Sequence, residues 1–187
     1  MIRVVSGALR GRRLQVPQAG ARPTAERVRA AIFDALRSYI DLDEARVLDL
    51  YAGSGALGFE AVSRGAETAV LVEHAAVAVK ALRANIASLG LEGRVRVQVG
   101  KVQQALAGHA PAEPYDLVLA DPPYDIGGGE VADVLGKLAS GGWIATDGML
   151  VFERAARAAA PTWPDGLEPV KSYLYGDTRV EFARPGP

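Results

Sequence analysis

The chain has 187 residues, 49% of them hydrophobic and 23% charged, with a formal net charge of −1. That length fits one domain with a sizeable core, and apolar content at near-neutral charge excludes an intrinsically disordered chain. The absence of cysteine excludes disulfide scaffolds, thiolate zinc sites, iron–sulfur clusters and Cys nucleophiles, and the two histidines, His74 and His109, make no His-rich centre, so no metal is expected. The opening MIRVVSGALRGRR lacks an apolar run of signal-peptide length, and no stretch reaches the roughly 20 apolar residues of a membrane span. A cytosolic protein, with no membrane partner, is the expectation.

The charge is unevenly spread. Residues 1–37 hold eight arginines (3, 10, 12, 13, 22, 27, 29 and 37) against Glu26 and Asp34, a balance of +6, while the remainder carries −7. Exposed arginines often only solvate a surface, but a basic arm beside an acidic body favours phosphate binding.

Taken in order, IRVVS (2–6) and RRLQV (12–16) are strand-like runs parted by Gly7 and Gly11, which predicts a hairpin or ribbon. Pro17, Gly20 and Pro23 make a loop. From Ala25, residues Val28, Ala31, Ile32, Ala35, Leu36 and Tyr39 fall at helical spacing and predict an amphipathic helix to about residue 39, with Arg27 and Arg29 flanking the apolar stripe and able to stay solvated. This arm occupies residues 1–40, and the main domain residues 41–187. Strand-like runs follow at 45–51, 68–73, 94–99, 115–121 and 149–153, alternating with helical segments near 57–64, 75–89, 102–108 and 129–139. Apolar runs joined by helical crossovers predict an α/β fold with a parallel sheet covered on both faces. KSYLYG (171–176) and TRVEFA (178–183), joined through a Gly-Asp turn, predict a terminal antiparallel hairpin.

The first crossover, VLDLYAGSGALGFEA, carries Gly53, Gly55 and Gly58 between strand and helix, and Glu73 ends the next strand 20 positions after Gly53. Glycines let a ligand approach the backbone, and an acid at the second strand end can take both ribose hydroxyls, as in dinucleotide sites. The extra acid Asp49 opposes a pyrophosphate and suits a ligand with an ammonium and a sulfonium, which favours S-adenosylmethionine over NAD.

Asp121-Pro122-Pro123-Tyr124 closes the fourth strand, where an open parallel sheet forms its ligand crevice. Prolines stiffen this lip and supply carbonyls without N–H donors. The exocyclic amine of a purine is a poor nucleophile because its lone pair is delocalised. Accepting its hydrogens on the Asp121 carboxylate and the Pro122 carbonyl holds the amine with its lone pair turned toward a methyl carbon, and Tyr124 can stack on the base.

With RVVSGALRGRRLQVP, RPTAERVRAAIF, LDLYAGSGALGFEA, LVE, DPPYD and KSYLYGDTRVEF, nearly the whole chain resembles the RsmD-type methyltransferases that modify N2 of a guanine in bacterial 16S ribosomal RNA. The glycine loop and DPPY occur in many amino-methyltransferases, so the arm with RPTAERVR is the specific part. The resemblance implies a Rossmann-like class I methyltransferase fold, parallel strands in the order 3-2-1-4-5 extended by the hairpin, S-adenosylmethionine as cofactor, and a monomer acting on the small ribosomal subunit or an assembly intermediate. It implies Asp49, Tyr51, Gly53, Ser54, Gly55, Glu73 and Val102 at the cofactor. Asp121, Pro122, Pro123 and Tyr124 fall at the reaction, with Arg10, Arg12, Arg13, Arg22, Thr24, Arg27 and Arg29 on RNA. Lys101 stands where such enzymes place an Asp for the adenine amine, leaving the Val102 backbone or Gln103 for that role. The alternatives are a DNA adenine-N6 methyltransferase, which DPPY would serve equally, and a noncatalytic RNA-binding assembly factor, which would not need Asp121 and Pro122.

Overall fold

The computed structural model describes residues 2–16 and 26–186, so the expected loop at Pro17, Gly20 and Pro23, with Arg22 and Thr24, lies outside the described residues. The N-terminal ribbon is shorter than its sequence pattern: β1 (Ile2–Arg3) pairs antiparallel with β2 (Arg13–Leu14) and the rest is turn. A competing acceptor ends the ladder. The N–H groups of Val5 and Ser6 turn to the Glu60 carboxylate at 2.7 and 3.0 Å, and Leu9 N–H turns to Ser63 Oγ at 2.9 Å. Gly7, at φ 80°, lies so close to Ser63 that a Cβ would stand 1.7 Å from its carbonyl oxygen, so only glycine fits.

Helix α1 (Glu26–Leu36) follows the expected stripe and buries Ile32, Phe33 and Leu36. The alternation then runs β3 (Arg46–Leu50), α2 (Ala56–Ser63), β4 (Thr68–Glu73), α3 (Ala76–Leu89), β5 (Val95–Val99), α4 (Val102–Ala105), β6 (Tyr115–Ala120), α5 (Gly128–Ser140) and β7 (Ile144–Ala155). The hairpin β8 (Leu167–Tyr175) and β9 (Thr178–Pro185) closes the chain. Strand β7 begins earlier than the apolar run at 149–153, and α4 is a single turn rather than a helix to 108.

The sheet order is β5-β4-β3-β6-β7-β9-β8, with the first five strands parallel and β9 antiparallel to both β7 and β8. This is the 3-2-1-4-5 order implied by the resemblance, with the hairpin inserting its second strand against β7. Side-chain alternation divides the core. Val47, Leu71, Leu117 and Leu119 face the layer formed by the ribbon, α1, α2 and α3, and Leu48, Leu50, Val72 and Val118 face Val134, Leu135 and Leu138 of α5. Ile2 and Leu14 of the arm lie in the same core as the sheet. Among the described residues no helix is long and apolar enough to cross a membrane, and no cluster of three or more His, Asp or Glu side chains could hold a metal.

Candidate active site

Strand order reverses between β3 and β6, and parallel register fixes what emerges there. Leu50 pairs with both Val72 and Ala120, so the residues that follow, Tyr51, Glu73 and Asp121, leave three adjacent strands at one level. Neighbouring strands lie about 4.8 Å apart, which confines these three positions to one crevice.

The glycine loop crosses that crevice. Tyr51, Gly53 and Gly55 adopt positive φ values of 60°, 54° and 78°. A Cβ on Gly55 would lie 2.4 Å from Phe59, whereas one on Gly53 would meet nothing nearer than the Tyr51 carbonyl at 3.9 Å, so the backbone at Gly53 stays approachable. Gly58 serves packing: its Cβ would collide with Leu71 at 2.4 Å and crowd Asp49 at 3.0 Å.

Asp49 follows the strand alternation into the apolar layer under α2, where it is 1% exposed and accepts the Gly58 N–H at 2.9 Å. Burial pushes its carboxyl up to about 8; Asp121 and Glu73 repel its charge, and the Gly58 hydrogen bond opposes the shift. Glu73 is anchored by backbone donors: Oε2 accepts Gly53 N–H at 2.9 Å, and Oε1 accepts the N–H groups of His74 and Ala75, each at 2.7 Å. The exposed His74 ring approaches Glu73 at 3.3 Å. Ser54 is buried within the loop. The Tyr51 hydroxyl is buried without a hydrogen-bond partner among the described residues, and burial near Glu130 and Asp133 pushes it up to about 12.

The DPPY lip leaves β6 with Pro122 buried and Pro123 and Tyr124 exposed, and the Tyr124 hydroxyl lies 3.2 Å from Thr178 Oγ1 at the start of β9. Beside it opens a cavity of about 380 Å³ lined by Pro122, Tyr124, Val131, Phe152, Arg154 and Pro161 among others. Arg154 is held in that wall by Glu181 at 2.8 and 3.1 Å and by the Ala158 carbonyl at 2.7 Å. Past β5, Lys101 is exposed and Val102 buried, while Gln103 donates to Glu130 at 2.8 Å. That bond turns Gln103 toward α5 and leaves the backbone around Val102 as the candidate contact.

Arg10, Arg13 and Arg27 are exposed, as expected, and Arg12 is exposed while donating to the Ser88 carbonyl. Arg29 departs from its expected solvation: it is fully buried, with Nε 3.6 Å from Glu60 and Nη2 donating to the Arg3 carbonyl. The cause is Glu60, a lone acid in the apolar helix GALGFEAVS, which is also fully buried and ion-paired to Arg64 at 2.8 Å. A buried carboxylate draws in cations, and desolvation lowers the Arg29 pKa while Glu60 raises it. Three contributors were not singled out from the sequence: Glu60, Asn85 and Thr178. The first two could have been found as polar residues on apolar helix stripes, whereas nothing local distinguishes Thr178.

The donor set suits an adenosine ligand carrying positive charge. Asp49, Glu73 and Asp121 lie around a glycine loop open at Gly53, and a ligand ammonium or sulfonium would offset the burial, and the lesser repulsion from Asp121 and Glu73, that keep Asp49 protonated.

The family model described as conserved hypothetical protein 95 matches residues 2–184. Ribosomal RNA small subunit methyltransferase D of Escherichia coli K12 is 37% identical over 164 residues, 87% of this chain and 79% of that protein. The protein of the same name from Haemophilus influenzae is 30% identical over 154 residues, 81% of this chain and 78% of its own length. The solved structure of the Escherichia coli protein yhhF superposes with a TM-score of 0.87 at 30% identity, covering 98% of this chain and 97% of that one. With a doubly wound sheet, a crevice at its strand reversal and these relatives along most of its length, the chain belongs to the conserved hypothetical protein 95 family, that of the small-subunit ribosomal RNA methyltransferases D.

Proposed function

We propose that the protein transfers a methyl group from S-adenosylmethionine to the exocyclic N2 of a guanine in 16S ribosomal RNA. The observation that carries this reading is the register that brings Asp121 of the DPPY lip level with Glu73 and Tyr51 at the strand reversal. Glu73 would take the ribose hydroxyls, Asp49 and the Gly53-Ser54-Gly55 backbone the amino-acid end beside Tyr51, and the peptide at Val102 the adenine. When bound, the cofactor supplies an electrophilic methyl carbon on a positive sulfur.

The chain's own groups act on the amine. The Asp121 carboxylate and the Pro122 carbonyl accept the two N2 hydrogens, which turns the lone pair toward the methyl carbon. As the N–C bond forms, the methyl–sulfur bond breaks with its electron pair left on the departing neutral thioether, and one N2 proton is shed to the Asp121 carboxylate or to water. Pro123 stiffens the turn and Tyr124 offers a face for stacking, with the 380 Å³ cavity giving an unstacked base room beside it. The exposed Arg10, Arg12, Arg13 and Arg27, with Arg22 and Thr24 of the same motif, would hold phosphates and position the RNA without reading its sequence.

The test is to map methyl incorporation from labelled cofactor into small subunits lacking the modification, with the wild type and with Asp121→Asn. We expect label on a single guanine N2 and a loss of two to three orders of magnitude in turnover for the variant, the scale of one preorganised electrostatic partner. Methylation confined to adenine would reject the substrate, and wild-type single-turnover rates for Asp121→Asn would reject the role of the lip.

A further inference from the structure

Asn85 is a polar residue on an apolar stripe. It lies on α3 among the buried Leu82, Ile86 and Leu89 and is itself fully buried. Its amide is used at both ends: Oδ1 accepts the N–H of Gln15 at 2.7 Å, and Nδ2 donates to the carbonyls of Gln15 at 3.0 Å and Ser54 at 3.2 Å. Gln15 directly follows β2 in the arm. Ser54 sits between the two left-handed glycines of the loop, Gly53 and Gly55. Toward Gln15 the side chain behaves like a neighbouring strand, satisfying the N–H and the C=O of one residue together.

The contact is part of a longer seam. Close by on α3, the Arg12 guanidinium donates to the Ser88 carbonyl, so the arm follows this helix for about one turn. In the other direction Gly53 N–H reaches the Glu73 carboxylate at 2.9 Å. A run of hydrogen bonds and one short stretch of backbone thus leads from Gln15 through Asn85 and Ser54 to Glu73. An aliphatic residue at position 85 would satisfy the stripe but leave a buried carbonyl and an arm peptide without their partner.

We infer that Asn85 is a positioning residue that makes the glycine loop depend on the docked arm. It fixes the Ser54 carbonyl, and with it the facing of the adjacent glycine peptides, through the same amide that fixes Gln15. The inference rests on the cofactor reading of the crevice and goes beyond it, because it gives the arm a second task besides holding phosphates. By linkage, cofactor in the crevice and RNA on the arm then strengthen one another's binding.

The experiment pairs hydrogen exchange of the cofactor-free full chain with calorimetric titration of S-adenosylhomocysteine, for the wild type, Asn85→Ala and Asn85→Asp. The Asp variant keeps an acceptor for Gln15 N–H and loses both donations. We expect peptides covering residues 12–16 and 52–56 to lose protection together in both variants while β6 stays protected. We also expect the dissociation constant to rise about tenfold at unchanged stoichiometry, the scale of a lost buried hydrogen bond. A merely structural side chain would instead lower the folded fraction, and so the stoichiometry, at an unchanged constant. Retained protection of the loop in Asn85→Ala, or wild-type affinity in both variants, overturns the inference. If the wild type itself takes up no S-adenosylhomocysteine, the cofactor reading fails, and the exchange pattern still decides whether Asn85 joins arm to loop.

Discussion

The Tyr124 hydroxyl and Thr178 Oγ1 lie 3.2 Å apart, joining the lip after β6 to the first residue of the strand that closes the chain. The terminal hairpin does more than extend the sheet: it reaches back to the ring that, on the proposed function, would stack on the base. Thr178→Val keeps the shape of the side chain and removes the hydroxyl. We expect turnover to fall about three- to tenfold with cofactor affinity unchanged, Tyr124→Phe to do the same, and the double variant to add little, since both remove one bond. Wild-type turnover in both single variants would separate the hairpin from the reaction.

Glu73 meets the crevice already bonded to three backbone N–H groups, and the ligand would find its carboxylate oriented in advance. On the proposed reading, Glu73→Ala would remove two charge-assisted hydrogen bonds to the ribose, each worth roughly 1.5 to 3 kcal/mol. Titration with S-adenosylhomocysteine should show a loss of at least about a hundredfold in affinity. Tight NAD binding with no response to that ligand would overturn the cofactor assignment.

Asp49 gives a pH signature. With its carboxyl at about 8 in the fold and near 3.9 in the unfolded chain, it is protonated in the folded protein at pH 7 and ionised in the unfolded one. Its stabilising contribution is therefore complete below about pH 4 and lost as pH rises toward 8. A cationic ligand reverses the preference, so binding of S-adenosylmethionine should release up to one proton below pH 8, with affinity rising toward that pH. Calorimetry at pH 6.5 in buffers of different ionisation enthalpy measures the proton, and Asp49→Asn should abolish it. Absence of proton release in the wild type would mean that Asp49 is already ionised.

The arm separates two kinds of arginine. Ala substitutions at Arg10, Arg13 and Arg27 should each make RNA binding less salt-dependent, by about 0.7 to 0.9 in log-log slope for every phosphate left without its cation. Arg29→Ala should leave that slope unchanged and cost about 1 to 3 kcal/mol of stability, because the buried Glu60 keeps Arg64 and two backbone N–H groups but loses one cation. Salt titrations and thermal melts of the four variants distinguish these outcomes. A slope change for Arg29→Ala without loss of stability would put its guanidinium on the RNA.

The parallel sheet was legible because its strands are apolar on both faces and parted by helices of clear period, and β4 begins and ends where its pattern does. The placement of Gly53, Glu73 and the DPPY lip at adjacent strand ends was legible because each directly follows or ends an apolar strand run. Pairings across long separations were not. Nothing near Arg29 in the sequence announces Glu60, so a residue at the edge of an amphipathic stripe was read as solvated. The ribbon at 2–6 likewise shortened because Glu60 and Ser63, more than 50 residues away, accept N–H groups that the pattern assigned to a hairpin.

Those separations also set an order in time. The backbone of Val5 and Ser6 is completed by Glu60, and that of Gln15 by Asn85, 70 positions on. On a ribosome adding residues in chain order, the arm precedes these partners: Val5 and Ser6 lack their carboxylate acceptor until α2 has been made, and Gln15 lacks its amide partner until α3 has. Nascent chains halted before residue 60 should expose residues 2–16 to protease, and chains long enough for α3 to have cleared the exit tunnel should protect them. The arginine-rich segment is thus made well before the helices that fasten it, and it spends that interval as an unanchored cationic strand beside the RNA of the ribosome that makes it.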